Sequence, residues 1–90
     1  MANIRSAEKR NRQNAKRQLR NKQIKSRVRT ETRKLLEIIE SRDKESAQQQ
    51  FKNVSGLLDS ASLKGVLHRN SADRKKSHLQ KRINRIEEAQ

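Results

Sequence analysis

No proline occurs in the 90 residues, and glycine occurs only at Gly56 and Gly65. A chain with so few breakers has few places to turn. Lys, Arg, Gln, Glu, Leu and Ala fill most positions, and these are good helix formers. The fold class that follows is all-α. The number of helices depends on where the pattern stops.

It stops twice. A first helix can begin near Ser6, which can cap exposed backbone N–H groups, with Glu8 suiting the positive end of the helix dipole. Nothing interrupts it before Ser41-Arg42-Asp43, so it runs about 35 residues and ~50 Å. Its apolar face starts late: Ile24, Val28, Leu35 and Ile39, with Thr32 in the gap. A second helix starts at Asp43 as N-cap, with Glu45 in its first turn. Ala47, Phe51, Val54, Leu58 and Ala61 then form one narrow seam toward a partner helix. Lys64-Gly65 ends it, with Gly65 as the left-handed residue past the helix. Gly56 either permits close helix approach or is tolerated there at about 1 kcal/mol relative to Ala. A third helix starts at Asn70 as N-cap, with Asp73 reaching back as in a capping box. Ala72, Leu79, Ile83 and Ile86 form its apolar face, and fraying is expected near Glu87-Glu88, whose charges oppose the dipole. Loops of roughly 3–5 residues make neighbouring helices antiparallel. The expected architecture is an up-down-up three-helix bundle with a long, basic N-terminal helix extending beyond the core. Residues 1–22 read as a basic arm continuous with the first helix, and 23–90 as the bundle of a single domain.

Charge separates the same two regions. The chain carries 24 Lys and Arg against 10 Asp and Glu, a net of +14. Residues 1–34 hold 13 of the basic and 2 of the acidic residues, whereas residues 35–67 are close to neutral and residues 68–90 carry +4. Between Arg5 and Arg20 the apolar residues are Ala7, Ala15 and Leu19 alone. That half has nothing to pack against within its own chain, and an isolated unpacked helix is marginal in water. It is expected to be frayed or disordered until a partner orders it. Hydrophobic residues make up 29% of the chain, which supports only a small core. No apolar run approaches a membrane span, and no signal-peptide apolar region is present. Without cysteine, disulfides, zinc knuckles and thiol catalysis have no residues to use.

The basic residues of the first helix have helical spacing. Arg5, Lys9, Arg12, Lys16, Arg20 and Arg27 lie along one ridge, and Arg10, Arg17, Lys25, Arg29 and Arg33 occupy adjoining turns. Like charges at this spacing destabilise a helix by ~0.2–0.5 kcal/mol per pair. Such self-repulsion makes sense if polyphosphate neutralises it, which favours nucleic acid over a simple solvated arm. An acidic membrane surface fits poorly, because residues 5–18 lack a bulky apolar face. Without Tyr or Trp, base-stacking modules are disfavoured, whereas folded RNA and duplex DNA both suit a charged helix. Asn11 and Asn14-Ala15-Lys16-Arg17 look superficially like the basic region of a leucine zipper, but the helix breaks after barely two heptads. A DNA-compaction protein and a module for an acidic protein partner are the other classes considered. A second basic cluster surrounds the second turn: Lys64, His68, Arg69 and Asn70, then Arg74, Lys75, Lys76, Ser77 and His78. Basic residues at a helix start oppose its dipole, so this cluster reads as an anion site more readily than as a plain Gly-stopped turn.

Three motifs add a resemblance. The opening Met1-Ala2-Asn3-Ile4-Arg5-Ser6-Ala7, the run Asn21-Lys22-Gln23-Ile24-Lys25-Ser26-Arg27-Val28-Arg29-Thr30 and the run Lys64-Gly65-Val66-Leu67-His68-Arg69-Asn70-Ser71-Ala72 occur in order along nearly the whole chain. Arg74-Lys75-Lys76-Ser77 and Leu79 continue the last. The chain resembles the small-subunit ribosomal protein family numbered twenty in bacteria and plastids. The resemblance implies a three-helix bundle that binds small-subunit ribosomal RNA directly, at its 5′ domain and the lower end of the decoding-site helix, within the cytoplasmic ribosome or a plastid stroma. It adds Asn21, Lys22, Ser26 and Thr30 to the expected RNA contacts. Asp73 stands where the family usually has a small apolar residue and His78 where a basic one is common; neither is counted as a contact. Other small-subunit components are expected as neighbours, with no membrane, no small-molecule substrate and no homo-oligomer.

No catalytic constellation is visible. His68 and His78 have no Cys and no carboxylate pair at ligand spacing, and Glu37 and Glu40 lie beside Arg33, Lys34 and Lys44 as solvating charges. No glycine-rich phosphate loop is present. A non-enzymatic protein without metal or cofactor is expected.

Overall fold

The computed structural model describes the backbone of residues 2–88 and the side chains of residues 6–86. Three helices account for nearly all of it: α1 (Ala2–Glu40), α2 (Lys44–Leu63) and α3 (Arg69–Glu88). They form the expected all-helical, three-helix bundle, and the overall dimensions are 70 × 20 × 13 Å. The long dimension comes from α1, whose 39 residues extend about 58 Å at ~1.5 Å per residue.

α1 starts earlier than expected. It runs from Ala2, so Ser6 lies inside the helix rather than at its cap, and Glu8 lies beyond its first turn. No breaker precedes Ser6, so nothing local stops the helix from extending. At its other end, the Ser41 N–H donates to Glu37 O (3.1 Å) and the Arg42 N–H to Ile39 O (3.0 Å). The Ser41 hydroxyl donates to Ile38 O (2.6 Å). Arg42 takes a left-handed conformation, φ 62°, although it carries a Cβ that disfavours this region.

The expected boundaries of α2 hold. Asp43 caps its start: one carboxylate oxygen accepts from the Ser46 N–H (3.2 Å) and the other from the Ser46 hydroxyl (2.7 Å). At its end, Gly65 has φ 74°. The Gly65 N–H donates to Ser62 O (3.1 Å) and the Val66 N–H to Ala61 O (2.9 Å), the paired bonds of a Schellman stop. Gly56 faces open space, and an added Cβ would meet nothing within 4 Å. It serves no close approach, which settles its two readings in favour of tolerance.

α3 starts one residue before Asn70, and the cap is His68. The His68 carbonyl accepts from the Ala72 N–H (3.0 Å), and its ring Nδ1 accepts from the Asn70 N–H (3.1 Å). Asp73 does not complete a capping box; it pairs with Arg69 Nε at 3.5 Å. His68 and Asn70 are both side-chain acceptors within three residues, and the one that meets the first free N–H sets the boundary. α3 continues through Glu88; the Glu87 and Glu88 side chains lie outside the described residues.

The core is small and drawn from all three helices. Val28 and Leu35 of α1, Ala47, Val54 and Leu58 of α2, and Ala72, Leu79, Ile83 and Ile86 of α3 are buried together. Phe51 and Ile39 pack on its margin, whereas Ile24 stays half-exposed. Each fully buried Leu, Ile or Val contributes roughly 1.5–3 kcal/mol. α2 sits between the other two in contact terms, and α1 and α3 touch least. That thin contact leaves a groove between them.

Candidate nucleic-acid interface

The arm comes first. Every described side chain from Ser6 to Arg20 is exposed, including Lys9, Arg10, Arg12, Lys16, Arg17 and Arg20 of the expected set. The Arg5 side chain lies outside the described residues. Across this stretch six cations face solvent with Glu8 as the one carboxylate. Leu19, the one large apolar residue here, is 58% exposed. Asn21 is the first side chain with partial cover, and its oxygen is buried without a hydrogen-bond partner. Such an acceptor costs about 1–3 kcal/mol, and it sits where arm gives way to bundle.

Past that point the helix is anchored. Glu31 is the fixing residue on the α2 side. Its carboxylate accepts from Gln50 Nε2 (2.8 Å) and Asn53 Nδ2 (3.1 Å), and its backbone carbonyl accepts from Gln50 Nε2 (3.0 Å). The Gln50 hydrogen bond holds the Glu31 carboxyl below its ordinary value; burial opposes it, and the nearby Lys34 adds to the lowering. Lys22, Lys25, Ser26, Arg29 and Thr30 are exposed on the same helix. The Thr30 hydroxyl donates to Ser26 O (3.0 Å), so its proton is already in use.

The two basic clusters meet in the groove between α1 and α3. Lys25, Arg29 and Arg33 line one side, successive turns of α1 at a spacing of four residues. Lys75, His78 and Arg82 of α3 line the other. Between them lies an apolar floor: Ile24, Val28 and Leu36 of α1, Leu79 of α3, Ala61 of α2, and Val66 and Leu67 from the second turn. Among the described residues no carboxylate lines the groove, whose volume is about 540 Å³. Arg33, His78 and Arg82 stand beside expected contacts in this groove, although none of the three is among them. Their helical spacing was a signal, but only the packing of α3 on α1 brings the two rows to one opening.

The second turn is exposed as well: Lys64, His68, Arg69 and Asn70, with Arg74, Lys75 and Ser77 on the first turns of α3. Lys76 is the exception. Its ammonium holds the Asp59 carboxylate at 3.0 and 3.3 Å and ties α3 to α2. His68 uses Nδ1 to accept from backbone, so the ring is committed to capping and presents only Nε2 outward. Among the described residues, no group of His, Asp and Glu sits together that could hold a metal ion. No described helix is long and apolar enough to cross a membrane.

Known proteins resemble this chain over nearly its whole length. Residues 2–84 match the family model described as ribosomal protein S20. A Corynebacterium glutamicum protein named small ribosomal subunit protein bS20 is 48% identical over 86 residues, 96% of this chain and 99% of its own length. The protein of that name from Salinispora tropica is 48% identical over 83 residues, covering 92% of this chain and 94% of the relative. The one from Brachyspira hyodysenteriae is 45% identical over 84 residues, 93% of this chain and 97% of the relative.

Proposed function

The chain belongs to the ribosomal protein S20 family, and on that premise we propose that it is a structural, non-enzymatic constituent of the small ribosomal subunit that binds ribosomal RNA directly through phosphate contacts. The arm of residues 1–22 is the first clamp and the bundle of residues 23–90 is a platform carrying the second. Arg5, Lys9, Arg10, Arg12, Lys16, Arg17, Arg20 and Lys22 line the arm; Lys25 and Arg29 meet Lys75 across the groove; Lys64, Arg69 and Arg74 surround the second turn. Two cationic surfaces on one chain can hold two RNA segments together. Stabilising the folded 5′ domain and the lower decoding-site helix during assembly, in the cytoplasm and as a single copy, is the role that fits.

One observation carries this reading. A continuous stretch from Ser6 to Arg20 keeps every side chain in solvent while holding six cations against one carboxylate. Among the described residues none of these cations has an ion-pair partner, and RNA phosphates would supply one. Affinity for small-subunit RNA should fall steeply with salt, each neutralised phosphate contributing ~0.7–0.9 to the log–log slope. Replacing Arg10, Arg17 and Lys25 together with Gln should weaken binding and flatten that slope while leaving the melting temperature in place. A salt slope near zero, or equal affinity for duplex DNA and folded RNA at fixed salt, would contradict the proposal.

A further inference from the structure

A surface that only gripped phosphates would need cations and nothing else. The groove between α1 and α3 has more. Its rims are Arg29 and Arg33 on one side and Arg82 on the other, while its floor includes Ile24, Leu36, Val66 and Leu67, all only partly buried. In a chain with so few hydrophobic residues, apolar side chains left half-open at the meeting point of two cationic rows want an occupant that is both anionic and apolar. Its volume, about 540 Å³, falls in the range of small-ligand clefts, ~300–1,000 Å³. That suits one or two nucleotides better than a whole helix. Base-paired RNA keeps its bases stacked inside and offers no apolar face; an unpaired nucleotide does.

We propose that this groove takes an unpaired nucleotide of the bound RNA, its base against the apolar floor and its flanking phosphates on the cationic rims. The proposal rests on the RNA-binding reading above and adds a division of labour to it. The arm grips backbone regardless of pairing, and the groove selects a bulged or looped position. Phosphate contacts position a nucleic acid, whereas contacts to bases specify it.

The test uses the full chain and three RNA hairpins of one sequence: fully paired, carrying one bulged adenosine, and carrying an abasic residue in place of that adenosine. The bulged hairpin should bind roughly tenfold more tightly than the other two, about what covering ~50 Å² of apolar surface contributes. The double substitution Val66→Ser and Leu67→Ser should erase the preference of the bulged over the abasic hairpin. Replacing Arg10 and Arg17 with Gln should weaken all three equally. Methyl NMR of the unsubstituted protein gives a readout that needs no variant to fold: the Ile24, Val66 and Leu67 methyls should shift with the bulged hairpin and not with the abasic one. Equal binding of all three hairpins would overturn the groove proposal and leave RNA binding intact. Absence of binding to any would overturn both. Methyl shifts produced by an acidic amphipathic peptide but not by the bulged RNA would overturn it in favour of a protein occupant.

Discussion

Two stretches of α1 carry the same sign of charge and lie on one unbroken helix, yet the chain treats them differently. Residues 6–20 hold six cations and one carboxylate; residues 24–39 hold five cations and two carboxylates. The difference is apolar. The first stretch has Ala7, Ala15 and Leu19, none of them covered, whereas the second has Val28 and Leu35 buried and Leu36, Ile38 and Ile39 packed on the core margin. Helical geometry is continuous across both, but tertiary anchoring stops near Asn21. Helix propensity sets the shape that α1 can take, and packing decides which part holds that shape without a partner.

The largest contrast should come from truncating a leucine in each stretch. Leu35 has no exposed surface, and Leu35→Ala should destabilise the protein by about 2–5 kcal/mol in urea unfolding. Leu19→Ala should stay within ~0.5 kcal/mol. A comparable loss at Leu19 would break the distinction between arm and bundle.

Backbone substitutions sharpen the same contrast by acting only on the anchored part. Gly65 sits at φ 74°, so Gly65→Ala should cost about 1–2 kcal/mol. Gly56 faces open space inside α2, so Gly56→Ala should stabilise by about 1 kcal/mol. Arg42 holds a left-handed conformation at the end of α1, and Arg42→Gly should gain roughly 0.5–1 kcal/mol. Unfolding midpoints read all three, and opposite signs at Gly65 and Gly56 are the point. The same sign at both would contradict the assigned backbone roles.

Acid should have the smallest effect. The Ser46 hydroxyl and then its N–H hold the Asp43 carboxyl below its ordinary value, as Gln50 does for Glu31. A depressed folded-state value means that the ionised form is favoured by folding. The stabilisation is therefore present at neutral pH and lost as pH falls below about 4. Asp43 is exposed and Glu31 keeps some contact with solvent, so the loss is modest. The melting temperature should decline over that acid range, and Asp43→Asn together with Glu31→Gln should lessen the decline. A melting temperature that rises on acidification would reverse the sign assigned here.

Much of this was legible in the residues. The seams of α2 and α3, the Asp43 cap and the Gly65 stop follow from local spacing and conformation, and the structure places them as the sequence does. Where α1 begins was not legible, because Ser6 is a competent cap that nothing forces the helix to use. The start of α3 was obscured by competing acceptors, His68 and Asn70, one residue apart from either side of Arg69. The Glu31 contacts with Gln50 and Asn53, and the Lys76–Asp59 pair, join residues far apart in sequence and have no local signal. The groove is the same kind of case. Its two rows are readable as helical spacing, but their convergence is a property of how α3 lies on α1.

The central claim is that residues 6–20 take their lasting helical order from RNA while residues 24–39 take theirs from the bundle. Amide hydrogen exchange along α1, measured with and without small-subunit RNA, tests it most directly. In the free protein, amides of 24–39 should be protected and those of 6–20 should exchange near the unstructured rate, with protection spreading into 6–20 when RNA is added. Equal protection of both stretches in the free protein would contradict it.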